Sequence, residues 1–175
     1  MRKPAAVLLG VLVALLCFGA VADATGIINP IKVSASVSPR HQISKPPYTF
    51  TTSGRITFPT LLCPPGTTNP AYCTTITAKE ACGGKVSLKV TLGKDPILAD
   101  ANKTIKRTTG KVSGKCTYSI KAKFPKSDFR ATKHYFAHEK GSYVHVSFHV
   151  SYLGDSVLKP KTARTQNVIA KLLQP

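Results

Sequence analysis

Three stretches of the chain alternate apolar and polar side chains at nearly every position. Val86, Leu88, Val90 and Leu92 take one parity, and Lys85, Ser87, Lys89 and Thr91 the other. Cys116, Tyr118, Ile120, Ala122 and Phe124 oppose Thr117, Ser119, Lys121 and Lys123. Val144, Val146, Phe148, Val150 and Tyr152 oppose Tyr143, His145, Ser147, His149 and Ser151. A period of two with one apolar side predicts β-strands buried on one face.

The same rule gives a strand at 31–37 that stops at Pro39, and one at 48–58 in which Gly54 marks a bulge or close approach. A more polar strand at 103–112 suits a sheet edge, where lysines discourage unwanted pairing. A last strand covers roughly 162–171. Residues 40–47 read as a polar loop, 59–81 as a long Pro/Thr/Gly-rich connection, 93–102 as turns, and 125–141 as a loop with one helical turn. About seven short strands and no long amphipathic helix predict an all-β sandwich.

The first residues follow a different pattern. Arg2 and Lys3 precede an apolar run over 5–21, and Ala22-Asp23-Ala24 supplies small residues. This reads as a secretory signal peptide, 1–24, cleaved before Thr25. A retained membrane anchor is the alternative, although the run is short for a span of about 20 residues. Residues 25–30 then form a flexible entry and 31–175 a single domain.

Cys63, Cys73, Cys82 and Cys116 remain after Cys17 is removed. An even count in an exported chain argues for two disulfides, and the spacings are too wide for a zinc site. Cys82 and Cys116 share the apolar parity of the strands they precede. Suppose the strands at 31–37, 48–58 and 115–124 form one sheet, and those at 84–92, 143–152 and 162–171 the other. Both thiols then sit at one end of the sandwich, facing inward. The expected pairing is Cys82–Cys116 across the core and Cys63–Cys73 within the long connection. The local bridge is worth on the order of 3 kcal/mol in the chain-entropy picture.

Charge then narrows the partners. The 175-residue chain carries +18, and loss of Arg2, Lys3 and Asp23 leaves +17. Such a surface attracts polyanions. Export directs that attraction to cell-surface polymers rather than to specific nucleic acid. Lys85, Lys89, His145 and His149 project from the outer side of two expected neighbours, a basic face whose grip on an anion should rise as the histidines protonate. A merely solvated face is the alternative.

His134-Tyr135-Phe136-Ala137-His138-Glu139 is the best candidate for chemistry. On a helix, His134 and His138 would share a face, but no third ligand is evident and the order is not that of a zinc protease. No nucleophile elbow, phosphate loop or carboxylate pair is present, and few acids remain to build a carboxylate-based hydrolase.

Phe148-His149-Val150-Ser151-Tyr152-Leu153-Gly154-Asp155-Ser156-Val157-Leu158-Lys159-Pro160, followed by Ala163 and Val168, resembles the end of bacterial immunoglobulin-like (Big-type) repeats. Gly84-Lys85-Val86-Ser87-Leu88 resembles their third strand. The resemblance covers about 31–60 and 82–170. The cysteine pairs, the 59–81 insertion and the single copy depart from it. It implies an Ig-like Greek-key sandwich, extracellular, adhesive or spacer-like, with no catalytic residues and no cofactor.

Loop clusters at one end of such folds often bind ligands. Tyr72, Asp155 and Lys159 are the candidates at the cysteine-bearing end. The expectation is a secreted, non-catalytic, monomeric module of the bacterial cell surface, with no membrane insertion after signal cleavage. Its partner would be an anionic surface polymer or another surface protein. The alternatives are a small metal-binding protein or enzyme using His134 and His138, and a purely structural spacer.

Overall fold

The computed structural model describes residues 28–67, 69–92, 104–129 and 143–171. Ile28 is buried, and its backbone bonds to Val157 and Lys159. Ile28 is thus tied to the sandwich beside Leu158, where the expectation was a flexible entry over 25–30; residues 25–27 lie outside the described residues. The expected first strand is broken into β1 (Lys32–Val33) and β2 (Ser36–Ser38), both antiparallel partners of a longer strand. The chain then crosses layers. After a cis peptide at Ser38-Pro39, β3 (His41–Gln42) joins the opposite sheet, where a loop was expected.

β4 (Tyr48–Thr57) is the centre of the first layer. The long connection holds a small ribbon of β5 (Leu61–Leu62) and β6 (Thr74–Thr75), then the one-turn helix α1 (Ala78–Ala81). In the second layer, β7 (Lys85–Leu92) pairs with β8 (Thr104–Lys111). β9 (Thr117–Phe124) returns to the first layer and pairs along β4. A short 3₁₀ turn, Lys126–Phe129, follows, and 130–141 of the loop expected over 125–141 lie outside the described residues. β10 (Tyr143–Tyr152), β11 (Lys161–Thr162) and β12 (Gln166–Lys171) complete the second layer.

One sheet therefore holds β1, β2, β4 and β9. The other runs β3-β12-β10-β7-β8, with β11 also on β10. These are the two sheets expected from the sequence, and the polar strand β8 is an edge as expected. Apolar parity faces inward along β4, β7, β9 and β10. Phe50 and Phe124 of the first layer meet Phe148 of the second edge to face, with centroids 5.3 and 6.5 Å apart. Tyr48 stands edge-on to Phe129 at 4.7 Å. All these rings are essentially fully buried, each worth on the order of 2 kcal/mol in transfer from water.

Gly54 is a close approach. A Cβ there would collide with the Ser34 carbonyl and the Tyr118 hydroxyl. Tyr118 reaches over it to donate a 2.6 Å hydrogen bond to Ser34, tying β9 to the break between β1 and β2. Burial pushes the Tyr118 hydroxyl up to about 12.

Both disulfides form as expected, Cys63–Cys73 and Cys82–Cys116. They fit an oxidising compartment. No helix of the described residues is long and apolar enough to cross a membrane.

Cys82–Cys116 spans 34 positions and joins the two layers. Replacing both cysteines with alanine should cost roughly 4 kcal/mol of unfolding free energy in urea. A loss below about 1 kcal/mol would show that the bridge does not hold the layers together.

Candidate anion-binding face

The outer side of the second sheet collects the polar parity of β7, β8, β10 and β12. Register sets its charge rows. Lys85 lies opposite Lys111, Ser87 opposite Thr109, and Lys89 opposite Arg107. On the other edge of β7, Lys89 lies opposite His149 and Thr91 opposite Ser147. None of the described strands contains Asp or Glu. Like charges directly opposite on neighbouring strands destabilise a sheet. Two such pairs sit here, about 13 Å apart along the strands, and the register places no carboxylate beside either. A shallow groove of about 390 Å³ runs between β7 and β8, lined by Ser87, Lys89, Arg107 and Thr109 among others.

The first sheet is also basic on its outer side, but there Lys121 and Lys123 lie opposite Thr51 and Thr49. Cation facing threonine carries no such repulsion. The two sheets differ in arrangement rather than in sign.

Lys85, Lys89, His145 and His149 all lie on the outer side of the second sheet, as the alternation predicts. Their roles divide. His145 is exposed and pairs in register with Ile169. His149 is half-buried, its ring held between two threonines: Nε2 is 3.3 Å from Thr91 Oγ1 and Nδ1 is 3.2 Å from Thr165 Oγ1. Partial burial, and then the neighbouring Lys89 ammonium, lower its pKa from the ordinary 6.5. His149 is thus a neutral spacer near pH 7, and its charge arrives only under more acidic conditions.

The cysteine-bearing end gathers its connections as expected. Val112 N–H donates to the Gly84 carbonyl at 3.2 Å, beside the Cys82–Cys116 bridge. Asp155 is half-buried and committed. Its Oδ2 accepts from Gly83 N–H at 3.1 Å, and Oδ1 from the N–H groups of Val157 and Leu158 at 2.8 and 2.7 Å. That carboxylate organises the turn between β10 and β11. Lys159 is exposed beside it, and its backbone N–H donates to Ile28. Tyr72 stands 70% exposed on the separate ribbon segment. His134 and His138 lie outside the described residues.

Arg107 and Lys111 are the functional candidates that sequence reasoning missed. Their polar strand was read as edge protection. Only the β7–β8 register aligns them with Lys89 and Lys85. The pairing partner was the available signal, since the two strands are consecutive. No family model, no curated protein and no solved structure matches this chain.

The His149 environment has a definite sign. The fold favours the neutral ring, so this contribution to stability is present above the ordinary histidine range. It is lost as pH falls from 6.5 through the lowered folded value. NMR titration should place the His149 midpoint below that of a free histidine, and His149→Gln should flatten this part of the stability profile. A midpoint at or above 6.5 would contradict the reading.

Proposed function

We propose that this protein is an exported, non-catalytic immunoglobulin-like module that docks a linear anionic polymer of the cell surface on its β12-β10-β7-β8 face. The observation that carries this reading is the pair of like-charge residues aligned across strands, Lys85 with Lys111 and Lys89 with Arg107. A sheet built only for solubility would gain by offsetting such charges. An extended polymer with repeated phosphate, sulfate or carboxylate groups supplies the missing counter-charge along the whole face. The disulfide pairs and the N-terminal apolar run support export, and the resemblance over the strand at 143–152 supports an immunoglobulin-like module of the Big type. The grip belongs to the lysines and Arg107 rather than to His149.

Long-chain polyphosphate and dextran sulfate are suitable probes, titrated by calorimetry at two salt concentrations. Binding should weaken as salt rises. The double substitution Lys89→Gln with Arg107→Gln should lower affinity about tenfold, from roughly 0.5–1 kcal/mol per exposed ion pair. Affinity unchanged by either salt or the substitutions would remove this face from the binding.

A further inference from the structure

The second surface of interest is the ribbon β5–β6. Residues 59–77 contain no Lys, Arg, Asp, Glu or His, within a chain of +18. Leu61 pairs with Thr75 and Leu62 with Thr74, so the two leucines point to opposite faces of the ribbon. Both are exposed, at 46% and 41%. Tyr72 is exposed at 70%, and Pro64, Pro65, Pro70 and Ala71 around it are exposed as well. Among the described residues, three of the seven exposed large apolar side chains thus share one short segment.

The ribbon is built to hold this form without cover from the sandwich. Cys63–Cys73 closes it just beyond the two paired rows. Asn69 accepts from Ala71 N–H at 3.0 Å and starts the 3₁₀ turn that carries Tyr72. At its root, Ile76 is buried, and its N–H donates to the Thr60 carbonyl at 2.8 Å. Cations lie beside that root. Arg55 and Lys115 line a cleft of about 490 Å³ together with Thr60, Phe58 and Ala78, and Lys79 is exposed on α1. The acid on α1, Glu80, is occupied. Its Oε2 accepts from both the N–H and the hydroxyl of Thr77 at 2.8 Å.

We infer that the β5–β6 ribbon is a lipid anchor that enters the interfacial zone of a bilayer bearing anionic headgroups. An apolar side chain on each face of a thin ribbon cannot be covered by one flat protein surface. A medium that closes around the ribbon covers both. Tyr72 places an apolar ring and a polar hydroxyl where a bilayer interface accommodates both. The Arg55, Lys79 and Lys115 collar meets anionic headgroups as the ribbon enters. The disulfide fixes the ribbon beforehand, so little ordering accompanies insertion. The unpaired outer edges of a two-stranded ribbon keep it at the interface rather than in the hydrocarbon core.

The chain has no tryptophan, so single reporters are spectroscopically clean. The variants Leu61→Trp and Leu62→Trp, one on each face, are made separately in the full chain. Each is mixed with vesicles of phosphatidylcholine alone or of phosphatidylcholine with phosphatidylglycerol. Both reporters should shift to the blue and lose access to aqueous iodide, and more so with phosphatidylglycerol. If only one reporter responds, the ribbon docks one-sidedly on a surface and the lipid anchor is wrong. If neither responds, it is equally wrong. Should either variant fail to fold, Tyr72→Trp at the most exposed position reads the same insertion, and an unshifted spectrum there overturns the proposal.

Discussion

Cys82 stands just before β7 and Cys116 just before β9, and the bond between them ties one end of the two layers together. Much of the molecule is arranged around that tie. The turn from β8 to β9 must bring Cys116 inward, and it does so with a left-handed backbone at Cys116, φ 56°, a conformation costly for a residue with a Cβ. The Ser113 carbonyl accepts from Cys116 N–H at 2.8 Å, and Cys116 accepts from Ile56 N–H at 2.9 Å. On the other side, Gly83 beside the bridge is held by Asp155. Carboxylate, disulfide and left-handed turn thus fix the starts of β7 and β9 together. The register of β7 with β8 and β10, and so the placement of every cation on the outer face, follows from that fixed start.

The polar surface shows what this rigidity makes affordable. A sandwich with a packed aromatic centre and a covalent tie can tolerate cations facing one another across strands. The charges then do not need to neutralise one another within the protein. On the first sheet lysines face threonines; on the second they face lysine and arginine. This contrast in register between two faces of equal sign is the difference on which the proposed anion docking rests.

Much of the fold was legible because one-sided burial leaves a period-two signature. Val86 to Leu92, Cys116 to Phe124 and Val144 to Tyr152 carry it without interruption, and inward parity at Cys82 and Cys116 gave the interlayer bond. Shorter elements were not legible. The break between β1 and β2 depends on Tyr118 crossing Gly54 to reach Ser34, a contact 84 positions apart in sequence. β3 is two residues long and leaves no periodicity. The β5–β6 ribbon was hidden among prolines and threonines, because its paired rows bury neither face. At the candidate site, parity showed which side Lys85, Lys89, His145 and His149 occupy. Pairing register decided what stands beside each, and so put Arg107 next to Lys89 and a threonine on either side of His149.

The central claim is that the second sheet carries charge repulsion which an anionic partner relieves. It is tested most directly by the unfolding free energy of the Lys89→Gln, Arg107→Gln protein against the unsubstituted chain, in low-salt buffer without any polyanion. The account predicts that the substituted protein is the more stable and that added salt closes the gap. A substituted protein that is less stable at low salt would contradict it.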